Sequence, residues 1–67
     1  MKPHVEVLMW MIMEGRPVRL VDFIDAGFRN AETWLCMRGY ARSRIASDGR
    51  DRFFLYEITD KGREYAL

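Results

Sequence analysis

At 67 residues the chain has room for one domain, 1–67, with a marginal core. Its composition, 49% hydrophobic and 31% charged without low-complexity tracts, is that of a globular protein and excludes a disordered one. A single cysteine, Cys36, excludes an internal disulfide, and the net charge of +1 says little until its distribution along the chain is read.

The first element is a helix from His4 to Glu14, with Pro3 tolerated in its first turn and Gly15 closing it. It contains "VLMWMIM", residues 7 to 13, in which no side chain is polar. Val5, Leu8, Met9 and Ile12 mark one face at helical spacing, while Val7, Trp10 and Met11 fill much of the remainder. A surface helix ordinarily keeps one wet face. Complete burial is one reading of this helix. The other, favoured because few elements remain to surround it, is a partner surface of Val7, Trp10 and Met11, most simply meeting a second copy in a homodimer. Seven apolar residues fall far short of the ~20 that span a bilayer. No signal-peptide pattern is visible, so a cytoplasmic protein with reduced Cys36 is expected.

"GRPVRLVDFIDAGF" reads as a break and a second helix, with Pro17 ending the first helix and opening the next. Val18, Leu20, Val21, Phe23 and Ile24 supply its buried side; Arg19, Asp22 and Asp25 supply the wet one; Gly27 ends it. "RNAETWLCMRGY" is a third, short helix with Asn30 as N-cap and Gly39 in the left-handed conformation at its end. Turning Phe28, Ala31 and Leu35 inward leaves Arg29, Asn30, Thr33 and Met37 outward, with Trp34 at the margin as a core or interface residue.

After Gly39 the period changes from 3.6 to 2. "YARSRIAS" and "RFFLYEIT" alternate and are joined by "DGRD", which predicts a β-hairpin with arginines near its tip. Thr59 is placed to cap a short last helix, "DKGREYAL", with Asp60 in its first turn. The fold class is therefore α+β: three helices, a hairpin packed on them, and a short C-terminal helix.

Two stretches carry a family resemblance. "LCMRGYARSR" is similar to the junction of third helix and basic strand in winged helix-turn-helix domains. "LYEITDKGREYAL" resembles the close of the wing in bacterial winged-helix regulators, where Tyr-x-Ile/Leu-Thr-x-Lys-Gly recurs, here as Tyr56, Ile58, Thr59, Lys61 and Gly62. The resemblance implies a DNA-binding transcriptional regulator whose third helix enters the major groove and whose wing reaches the backbone. It would put Arg29, Asn30 and Thr33 against base edges, and Arg42, Arg44, Arg50 and Arg52 on phosphates.

The charge distribution agrees. Residues 29–52 carry Arg29, Arg38, Arg42, Arg44, Arg50 and Arg52 against Glu32, Asp48 and Asp51, a net of +3. Arginine's planar fork suits phosphate. The same residues can also serve as solvated guards of a sheet edge, and Asn30 as an N-cap would compete with base reading. No paired carboxylates, nucleophile constellation or phosphate loop points to an enzyme, and no cofactor is expected. The short third helix, the near-neutral charge and the apolar first helix fit a second reading: a small protein–protein interaction module or inhibitor on the same scaffold.

Overall fold

The computed structural model describes residues 4–67, so the expectation for Pro3 lies outside the described residues. The elements run α1 (Val5–Glu14), β1 (Val18–Arg19), α2 (Leu20–Asp25), α3 (Ala31–Met37), β2 (Ala41–Ser47), β3 (Arg52–Ile58) and α4 (Asp60–Ala66). This is a small α+β fold in which the strands form one antiparallel sheet, ordered β1-β3-β2.

Helix α1 ends as its sequence predicts: Gly15 takes φ 65° and donates its N–H to the Met11 carbonyl at 3.3 Å. Its buried residues are Val7, Leu8 and Met11, which share one face at i, i+1 and i+4 and belong to the hydrophobic core. This corrects the expectation that Val7 and Met11 meet a partner. That face packs on α4 and β3, and Met9 and Met13 point the other way, 36% and 83% exposed. Trp10 lies between the two faces, its ring 5.2 Å from Phe23 and 5.5 Å from Phe28.

Pro17 does not open a helix. Val18 and Arg19 form a strand paired with Tyr56 and Leu55, and the helix starts at Leu20. The Arg19 N–H donates to Asp22 Oδ2 at 2.9 Å, closing the start of α2. Helix α2 has six residues and buries only Phe23; Leu20, Val21 and Ile24 stay 42%, 51% and 38% exposed, against expectation. So short a helix has one inward position, and among the described residues no element covers its other sides.

Helix α3 ends in a Schellman motif: Tyr40 N–H donates to Leu35 O at 2.9 Å, Gly39 N–H to Cys36 O at 3.1 Å, and Gly39 has φ 77°. The chain then enters β2. Residues pair from Ala41↔Ile58 to Ser47↔Arg52 without a bulge. In the turn, Asp48 Oδ1 accepts the N–H groups of Arg50 and Asp51, both at 2.9 Å. Those donors, Asp51's first, hold the Asp48 carboxyl below its ordinary range.

Thr59 caps α4 as its sequence predicts. Its Oγ1 accepts from Gly62 N–H at 3.0 Å and donates to the Gly39 carbonyl at 2.7 Å. The start of α4 is thereby tied to the end of α3. A ring cluster extends this junction, with Trp34 tilted against His4 at 4.4 Å and Tyr40 stacked on Tyr65 at 4.3 Å. The tip of the hairpin, from Ser47 to Arg52, is exposed throughout, and the molecule measures 41 × 22 × 21 Å. Among the described residues, no helix is long and apolar enough to cross a membrane.

Candidate nucleic-acid interface

Alternation along the strands sorts the hairpin side chains onto two faces. Val18, Ala41, Tyr56 and Ile58 pack in or against the core, which makes theirs the inner face. The register continues that face through Ser43, Ile45, Ser47, Arg52 and Phe54. The outer face carries Arg42, Arg44, Ala46, Phe53, Leu55 and Glu57, and β1 adds Arg19, whose guanidinium lies 3.7 Å from the centre of the Phe53 ring.

The arginines therefore do not form one surface. Arg44 Nε donates to Glu57 Oε1 at 2.8 Å, and Arg42 Nη2 lies 3.5 Å from Glu57 Oε2. The hydrogen bond from Arg44, reinforced by the charges of Arg44 and Arg42, holds the Glu57 carboxyl below its ordinary range. Both arginines lie on the outer face, away from α3. Arg52 is on the inner face opposite Ser47, and Arg50 is in the exposed turn. Among the described residues, neither Arg50 nor Arg52 makes an ion pair. The expected set of four phosphate arginines is thus divided by strand parity: two are partnered and two are not.

Arg29 and Asn30, just before α3, and Thr33 on it are exposed, as is Met37 at 81%. Asn30 occupies the N-cap position but makes no side-chain capping bond, because its backbone is left-handed at φ 70°. Side-chain capping is made from extended backbone. Its amide is left facing solvent, so the expected competition between capping and reading does not arise. Arg38, next along, holds its guanidinium 5.0 Å from the Trp34 ring.

Sequence reasoning missed Glu32. It is 7% exposed on the inward side of α3, and its Oε2 is buried with no hydrogen-bond partner among the described residues. Cys36 stands one turn on and packs against the core, as Tyr56 does. Burial first, and Glu32 second, push the Cys36 thiol up; burial, then Glu32 and Cys36, push the Tyr56 hydroxyl up. The signal was present: Phe28, Ala31, Glu32 and Leu35 form an i, i+3, i+4, i+7 set, which places position 32 inside. Also missed was an apolar groove between α2 and β3, lined by Arg19, Leu20, Val21, Ile24, Phe53 and Phe54.

Such an arrangement can donate hydrogen bonds from Arg29 and Asn30 and offer positive charge at Arg50 and Arg52. Among the described residues, no group of three His, Cys, Asp or Glu side chains could hold a metal ion. No family model, curated protein or solved structure matches the chain.

Proposed function

We propose that the chain is a winged helix-turn-helix domain that binds double-stranded DNA as a transcriptional regulator. The element order α1-β1-α2-α3-β2-β3, with a hairpin projecting as the wing, supports the fold assignment. One observation carries the functional reading. Helix α3 packs through Ala31 and Leu35 into the core on the inner face of the sheet, the face whose register also carries Arg52, while Arg29 and Asn30 at the start of α3 and Thr33 within it are exposed. In this reading α3 enters the major groove, where arginine and asparagine pair with guanine and adenine edges. Arg50 and Arg52 contact the backbone.

A second reading, a protein-interaction module on the same scaffold, is favoured by Glu57, which already occupies Arg42 and Arg44. A titration of a labelled random-sequence duplex separates the two. The DNA reading expects binding at low salt with Kd in the range of about 10⁻⁴ to 10⁻⁶ M or tighter. It also expects Arg29→Ala to cut discrimination between sequences by about 1–3 kcal/mol. Absence of binding up to about 100 μM at low salt, where non-specific electrostatic attraction is strongest, overturns it.

A further inference from the structure

The face of α1 turned away from the core carries Met9 and Met13, and none of the described elements covers it. Met9, Trp10 and Met13 line a groove of about 540 Å³ with Ala26 and Phe28, and the charged residues on its walls are Glu6 and Glu14. Glu14 reaches Arg16 only at 3.7 Å, and Glu6 has no ion pair among the described residues. The surrounding segment is acidic too: residues 4–28 carry Glu6, Glu14, Asp22 and Asp25 against Arg16 and Arg19. The groove therefore combines flexible methionine side chains, which adapt to a partner's shape, with a negative rim.

We infer that this groove docks an amphipathic helix of another protein, with apolar anchors flanked by lysine or arginine. Charge complementarity selects this occupant over a second copy. A two-fold antiparallel pairing of α1 with itself, centred on Trp10, would set Glu6 of each copy against Glu14 of the other. It would bring like charges together at both ends of the contact. A basic helix meets both carboxylates favourably. Glu6 and Glu14 are eight positions apart, or about 12 Å along α1, a span that basic residues at i and i+7 or i+8 of the partner match. Apolar anchors at i, i+3, i+4 and i+7 would fill the space between them. The inference is independent of DNA binding and concerns a different face of the molecule.

The test uses two synthetic amphipathic peptides with identical leucine anchors, one flanked by lysines and one by glutamates. The readout is the methionine methyl NMR spectrum of the whole chain, with calorimetry for affinity. The lysine peptide is expected to shift the Met9 and Met13 methyls, to leave Met37 on α3 unmoved, and to bind about tenfold tighter than the glutamate peptide. Met13→Asp, at a position 83% exposed and so harmless to the fold, should abolish binding. The double variant Glu6→Lys, Glu14→Lys should reverse the preference between the peptides. Equal binding of both peptides, shifts confined to other methyls, or no shift at all overturns the inference. So does concentration-dependent movement of Met9 and Met13 in the protein alone, accompanied by dimer in sedimentation.

Discussion

Gly62 sits in the first turn of α4 with its backbone against Tyr40; a Cβ there would overlap the Tyr40 carbonyl oxygen and come within 2.9 Å of Ile58 Cγ1. Glycine to alanine inside a helix ordinarily stabilises by about 0.5–1 kcal/mol. Here the sign reverses. To admit the methyl group, α4 must move off Tyr40, whose carbonyl also accepts the Thr59 N–H at 3.1 Å. Gly62→Ala is expected to cost about 1–3 kcal/mol, the range for overpacking, measured as a lower urea midpoint at unchanged slope. Thr59→Ala removes the cap and the bond to Gly39 together, and about 1–2 kcal/mol should go with them. Glu32 predicts the opposite direction. A buried carboxylate oxygen without a donor opposes folding, so the near-isosteric Glu32→Met should raise stability by about 1–3 kcal/mol, read as a higher urea midpoint. A lower midpoint would mean that the carboxylate stabilises the fold through its other oxygen.

At the scale of elements, the Arg42–Glu57–Arg44 group staples the outer face of the hairpin, and its dependence on pH has a definite sign. The folded Glu57 carboxyl is held below its ordinary value by the Arg44 hydrogen bond. Its contribution to stability is therefore complete above the unfolded value and is lost as pH falls through the folded one. On acidification from about pH 5 to pH 3, the unmodified chain should lose stability more steeply than Glu57→Gln, and the two should run parallel above that window. Asp48 titrates in the same direction in both proteins, so it cancels from the difference. Parallel curves throughout would show that the hairpin does not use this group.

The elements that were legible in the sequence were those with local causes. Gly15 and Gly39 mark helix ends because the left-handed backbone there suits glycine, and Thr59 marks a start because its hydroxyl reaches Gly62 within one turn. β1 was illegible because two residues have no period, and only their partners Tyr56 and Leu55 define them as a strand. The exposure of Leu20, Val21 and Ile24 depends on which elements fail to cover α2. In α1, apolar residues lie all round, so periodicity could not choose Val7, Leu8 and Met11 over Val5, Met9 and Ile12. The division of the arginines was within reach. With Ser47 opposite Arg52 across the "DGRD" turn, counting back pairs Arg42 with Glu57.

Across the whole molecule, charge and shape are both polarised. The acidic α1–α2 side carries the methionine groove and the hairpin carries Arg50 and Arg52, which make no ion pair among the described residues, while the molecule is 41 Å long, about twice its other two dimensions. A duplex approaching the α3 side would meet Arg50 and Arg52 but not Arg42 and Arg44, which lie on the outer face and share the one carboxylate of Glu57. Each phosphate contact releases counterions and contributes about −0.9 to the slope of log K against log salt. The sequence alone would give four contacts and a slope of about −3 to −4 per chain, whereas the observed parity leaves two hairpin contacts and about −2. Arg50→Ala and Arg52→Ala should each lessen the slope by about 1, weakening all sequences alike. Arg42→Ala should leave it unchanged. If Arg42→Ala flattens the slope as much as Arg52→Ala does, the outer face of the hairpin lies on the backbone, and the docking of α3 proposed above is wrong. If none of the three changes it, the hairpin does not touch phosphate, and the exposed arginines belong to a protein interface.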